Sequence, residues 1–158
     1  MNYSKIIKKR NKKISSFING LETPSSKDRI GCLSCNECHC CKSNKSVPVI
    51  GKEVDVIKVK ITPKQKERAL TSINQKALLG NYTCPFLSEE GRCEIYDIRP
   101  LACAGYYTIN NTPDDCKNPK GDIVFINQMS LIKHLDQKQM QIIMGEKEDI
   151  IDILDMFE

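Results

Sequence analysis

Cys32, Cys35, Cys38 and Cys41 stand at three successive C-x2-C steps, with His39 and Cys40 inside the ladder. Two residues between cysteines let a tight turn bring both sulfurs within about 4 Å, so that one ion with bonds near ~2.3 Å holds both. Four more thiols, Cys84, Cys93, Cys103 and Cys116, follow in a stretch punctuated by Pro85, Gly91, Pro100, Gly105 and Pro113. Neither stretch has an apolar period of its own. A segment without one must be ordered by something other than core burial, and metal ligation is the candidate. The rival is a disulfide framework. It is disfavoured by the odd count of nine thiols and by a 158-residue length that needs no staples. The basic N-terminus also lacks the apolar run of an export signal, which places the expected protein in the cytoplasm.

Other cysteine chemistries fail on spacing. A bacterial ferredoxin signature would be C-x2-C-x2-C-x3-C-P, whereas the last step here is one residue short and Lys42-Ser43 stands where the proline would be. An iron–sulfur cluster stays open without being indicated. The thioredoxin motif needs a βαβ context that is not visible. Two-histidine zinc fingers fail because His39 and His134 are far apart, and His134 reads as a helix-surface residue. There is no C-x3-C-x2-C triplet for radical chemistry and no Gly-rich phosphate loop.

The elements that must position these residues can be read around them. Ile7, Ile14, Phe17, Ile18 and Leu21 recur near helical spacing with lysines between, so residues 3 to about 20 read as an amphipathic helix stopped by Gly20. From Val54 to Ile61 β-branched residues alternate with polar ones over the second half, the pattern of a short strand. Thr62-Pro63-Lys64-Gln65 is a capping box with proline at N1, opening a helix to about Leu79 with Gly80 as its left-handed stop. The second cysteine stretch should be mostly irregular. A short strand is expected at 123–125, a helix from Met129 to about Met144, and a last acidic helix holding Ile150, Ile151, Ile153, Leu154 and Phe157.

Charge is unevenly placed around a net +4. Lys5, Lys8, Lys9, Arg10, Lys12 and Lys13 precede the first acid, Glu22, while six carboxylates face one lysine in the last thirteen residues. A basic arm of this kind could neutralise phosphates, but the reading preferred here is the solvated face of the helix. No apolar stretch approaches the roughly 20 residues of a membrane span.

The string Cys84-Pro85-Phe86-Leu87, then Cys93-Glu94-Ile95-Tyr96-Asp97-Ile98-Arg99-Pro100 and Cys103, is long and specific. With the C-x2-C ladder, Val47-Pro48 and Ile61-Thr62-Pro63, it resembles the CxxCxxCC family of YkgJ-type cysteine-cluster proteins, zinc- or iron-chelating domains, over roughly residues 30 to 118. The resemblance implies a metal site of eight cysteines. It touches on an enzyme only through the family's relation to flagellin lysine N-methylase. Laid from Cys32, the first motif matches Cys35 and Cys38 and puts His39 in the fourth place; laid from the Cys40-Cys41 pair, it puts Glu37 and Ser34 in the upstream places, so neither register is complete and one of the five clustered thiols is read as a spare.

Metal ligands are therefore expected among Cys32, Cys35, Cys38, Cys40, Cys41, Cys84, Cys93, Cys103 and Cys116, with His39, Tyr96, Asp97 and Arg99 as supporting residues. Arg99 would donate to thiolates or carbonyls. Tyr96 reads first as a packed aromatic, and Asp97, Glu53 and Glu94 as capping carboxylates rather than ligands. The expected fold is a small single domain, mainly α, with one or two short strands and irregular Cys-rich loops organised by metal. Its parts are a basic helix and linker at 1–29, the cysteine cluster at 30–120 and a helical segment packing on it at 121–158. The expected cofactor is zinc or iron, with an iron–sulfur centre as an option. The rival functions are a metal-dependent enzyme or redox protein, and an adaptor with a structural metal and a basic nucleic-acid-binding arm.

Overall fold

The computed structural model describes residues 2–19, 39–104 and 150–157. The strand expected at 123–125, the helix from Met129 to about Met144, and Cys32, Cys35, Cys38, Cys116 and His134 lie outside these residues. The described part is mainly helical, with five helices and one two-stranded sheet. Among the described residues no helix is long and apolar enough to cross a membrane.

Helix α1, Tyr3–Asn19, forms where the sequence places it. The Asn2 side-chain oxygen accepts from the Lys5 amide at 3.1 Å and starts the helix, as short polar side chains do at an N-cap. Ile7 and Ile14 are buried on one face while Lys5, Lys8, Lys9, Lys12 and Lys13 stay exposed on the other. Arg10 departs from that pattern: it lies on the buried stripe between the two isoleucines and is itself fully buried.

The single turn α2, His39–Lys42, leads to β1, Pro48–Ile50. The strand expected over residues 54–61 is instead helix α3, Lys52–Lys58. Glu53, Val56 and Ile57 are its buried residues, at i, i+3 and i+4. That helical face is anchored in the core, and such tertiary burial outweighs the modest strand preference of β-branched residues. Glu53 and Asp55 in the first turn and Lys58 in the last also suit the helix dipole.

Helix α4, Pro63–Leu79, is built as read. The Thr62 hydroxyl accepts from the Gln65 amide at 3.3 Å, the Gln65 side chain accepts from the Thr62 amide at 2.9 Å, and Gly80 closes the helix at φ 71°. Its inward face is Gln65, Ala69 and Ser72, and its grip on the chain beyond is polar. Ser72 donates to the Thr83 carbonyl, the Gln75 side chain accepts from the Thr83 amide, and Gln65 donates to Glu94.

The chain's last described stretch is a second correction. Instead of the expected acidic helix, Ile150–Asp152 forms β2, antiparallel to β1 with Val49 opposite Ile151, and Asp155–Phe157 forms one 3-10 turn. Asp152 accepts from the Leu154 amide at 3.0 Å and Asp155 accepts from the Asp152 amide at 3.2 Å. Such local carboxylate bonds compete with the helical ladder. The switch also drops Ile153 and Leu154 into the core, where Phe157 meets Phe86 with ring centroids 5.4 Å apart.

Candidate metal centre

From Cys84 onward the chain folds as two linked turns. The Cys84 amide donates to the Cys41 carbonyl at 2.7 Å, which ties the second cysteine stretch to α2 of the first. Next to that contact, Asn44 and Tyr82 exchange backbone hydrogen bonds of 2.9 and 2.8 Å. The chain reverses over Ser88–Gly91, with the Gly91 amide donating to Ser88 and Gly91 at φ 73°, a left-handed conformation that suits glycine. Leu87 and Cys93 then pair across the turn, and the Glu94 amide donates to the Phe86 carbonyl at 2.9 Å. The spacing C-P-F-L, five residues, C is thus the spacing of a short hairpin that returns Cys93 toward Cys84. A 3-10 turn, Tyr96–Ile98, and the short helix α5, Leu101–Ala104, carry the chain on to Cys103.

These turns bring together five thiols from three segments. Cys40 and Cys41 have sulfurs 4.0 Å apart. Cys84 is buried in the main core, and Cys41, Cys93 and Cys103 pack against that core. The thiols are close enough to act on one another's charge. Burial pushes the Cys84 thiol up to about 12 and raises Cys93 and Cys103, and negative charge on neighbouring sulfurs raises all three further. The Cys41 thiol is raised by its hydrogen bond to Cys40, by burial and by the charges of Cys40, Cys84 and Cys93. Cys40 moves the other way, down to about 7, because Cys41 donates to its thiolate.

Arg99 sits beside this cluster. It is buried, with its guanidinium carbon 3.9 Å from the centre of the Tyr96 ring, and its positive charge favours the thiolate forms of Cys40, Cys93 and Cys103. Its Nε is buried without a hydrogen-bond partner among the described residues. Asp97 faces outward, exposed and 3.5 Å from Lys8.

A network absent from the sequence reading holds the 97–101 segment. Arg10 and Glu53 form an ion pair that is completely buried. Glu53 also accepts from the Leu101 amide at 2.8 Å and the Ile50 amide at 3.1 Å. Arg10 donates to the Arg99 carbonyl at 3.1 Å, and the Asn11 side-chain amide donates to the carbonyls of Asp97 and Arg99. Helix α1 is therefore a brace on the segment between Cys93 and Cys103. The signal was present in the sequence: Arg10 and Asn11 fall on the stripe that runs from Ile7 to Ile14, where a residue is buried whatever its charge. It also takes Arg10 out of the set of solvated cations that a nucleic-acid arm would use.

The donor set suits a thiophilic metal. Thiolates are soft ligands that select zinc or iron centres, and an all-thiolate centre carries net negative charge. A buried guanidinium with an unused N–H is the group that such a centre accommodates beside it. Among the described residues no three Cys, His, Asp or Glu side chains stand in a ready ligating arrangement.

Residues 31–129 match the model of the CxxCxxCC family, described as "Putative zinc- or iron-chelating domain". No curated protein and no solved structure matches the chain.

Proposed function

Since this chain belongs to the CxxCxxCC family of zinc- or iron-chelating domains, we propose that it is a metal-binding protein whose two cysteine stretches jointly hold one metal centre. The observation that carries this reading is the convergence of Cys40, Cys41, Cys84, Cys93 and Cys103 from three segments at one edge of the core. The ligands are drawn from these five and from Cys32, Cys35, Cys38 and Cys116. Zinc or iron is the occupant, which supplies Lewis acidity if a coordination position is open and a structural staple if none is. The residues around the thiols have separate tasks. Arg99 offsets the thiolate charge. The Arg10–Glu53 pair and Asn11 fix the backbone between Cys93 and Cys103, and the hairpin about Gly91 sets Cys93 against Cys84.

Metal analysis of protein purified without air, with an absorption spectrum of the same sample, tests the proposal. At least one equivalent of zinc or iron per chain is expected, falling to a minor fraction in Cys84→Ser and in Cys103→Ser. Zinc without bands above about 300 nm identifies a closed structural site, and iron with thiolate charge-transfer bands a redox or catalytic one. Full metal content in both variants, or none in the wild type, overturns the reading.

A further inference from the structure

Arg99 carries a charge that no carboxylate balances among the described residues. It is only 7% exposed, and it belongs to none of the ion pairs there. The carboxylates of the surrounding segments are committed elsewhere: Glu53 to Arg10 and to the Leu101 and Ile50 amides, Glu94 to Gln65 and Arg68, and Asp97 to Lys8 at the surface. The Tyr96 ring covers one face of the guanidinium, but the N–H groups lie in the guanidinium plane and are not used by that stacking. Nε is buried with no acceptor among the described residues. The backbone beneath this side chain is fixed. Arg99 precedes Pro100, which favours the extended conformation it adopts at φ −53° and ψ 150°, and its carbonyl accepts from both Arg10 and Asn11. A buried cation held in place in this way is costly unless an anion stands beside it.

We infer that the Arg99 Nε–H donates to a metal-bound thiolate and that the centre beside it is anionic, with more thiolates than its ion has positive charges. The inference rests on the metal centre proposed above and adds to it a net charge and the residue that fixes that charge. A divalent ion with two thiolates and two neutral ligands is neutral overall and leaves Arg99 uncompensated. Three or more thiolates give the negative charge that pairs with it. The placement fits: the guanidinium charge acts on Cys40, Cys93 and Cys103, which come from both cysteine stretches. Arg99 is not itself a ligand and acts on the ion through the sulfurs. A charge-assisted hydrogen bond draws charge off a thiolate, which reduces the repulsion among crowded sulfurs and holds their electrons at lower energy.

Titration of the reduced whole chain with cobalt(II) tests this, because thiolate-bound cobalt shows a sulfur-to-metal charge-transfer band. Arg99→Met is expected to bind cobalt about tenfold or more weakly than the wild type, as loss of a partner of metal ligands typically does. Its band is expected at longer wavelength, since the sulfur electrons are no longer held down. Arg99→Lys keeps the charge without the Nε–H, so it is expected to recover much of the affinity while its band stays displaced. Arg92→Met removes an exposed cation next to Cys93 in the chain and is expected to change neither quantity. An arginine with only a structural role would alter melting and leave the band of bound cobalt in place. An unmoved band in the Arg99 variants, or an equal loss of affinity in Arg92→Met, therefore overturns the inference. If circular dichroism shows Arg99→Met unfolded, the band of Arg99→Lys decides alone. Cobalt binding by the wild type with no change in the Arg99 variants removes this inference and keeps the metal centre, whereas no binding by the wild type removes both.

Discussion

The Cys40 and Cys41 sulfurs lie 4.0 Å apart, and a hydrogen bond from the Cys41 thiol to the Cys40 thiolate moves the acidities of the two adjacent groups in opposite directions. Before metal is added, Cys40 is half ionised near pH 7, whereas an ordinary thiol needs about 8.5. Since the folded value lies below the unfolded one, the stabilisation from this thiolate is complete above about pH 8.5 and is lost as pH falls through about 7. Cys84 has the opposite sign: its folded thiol stays protonated up to about 12, so its contribution is full below about 8.5 and lost as pH rises toward 12. Alkylation of the reduced, metal-free protein by iodoacetamide, read by mass spectrometry, should therefore begin at Cys40 with a rate that rises through pH 7. Removing the donor in Cys41→Ala should return that midpoint toward 8.5. An unchanged midpoint would show that the hydrogen bond does not set the acidity.

The elements differ in how plainly the sequence announced them, and the difference follows from what fixes each. Helix α4 was legible to the residue because Thr62, Pro63, Gln65 and Gly80 are local signals acting within one turn of themselves. Helix α3 and strand β2 were not, because Val54–Ile57 and Ile150–Ile153 owe their conformations to partners far along the chain. Val56 and Ile57 in the one, and Ile153 in the other, are buried while Ile150 is exposed, and the backbone that carries them differs from the one expected. The Arg10–Glu53 pair, 43 positions apart, is the extreme case: neither residue's role is visible without the other. Breaking a buried ion pair from one side strands the remaining charge and typically costs about 3–5 kcal/mol. Glu53→Gln should lower unfolding free energy by about that amount in urea denaturation, and Arg10→Met with Glu53→Gln should recover a large part of it. A loss below about 1 kcal/mol for the single variant would mean that α1 is not the brace described here.

At the scale of the whole molecule, the thiols of one stretch are tied to those of the other, and α1 braces the second stretch from outside the segment matched by the family. That arrangement was half legible. The cysteine spacing announced chelation and the motif announced the family, but which sulfurs meet depends on the hairpin at Gly91 and on the Cys84–Cys41 backbone contact, and no spacing rule reports those. A centre shared between the stretches makes the domain depend on metal as a unit. Structural zinc contributes about 10–16 kcal/mol in isolated peptides, and each kcal/mol moves Tm by about 2–4 °C at this chain length. Even a third of that contribution gives a fall of about 10 °C when a chelator removes the metal. Calorimetric melting with and without chelator should show this fall in the wild type. Cys84→Ser and Cys35→Ser should each melt at the lower temperature already and respond no further to chelator, because either change disables the same centre. If Cys84→Ser instead keeps the wild-type Tm and the full chelator response, the two stretches hold separate sites, and the sulfurs gathered around Arg99 are packing rather than ligation.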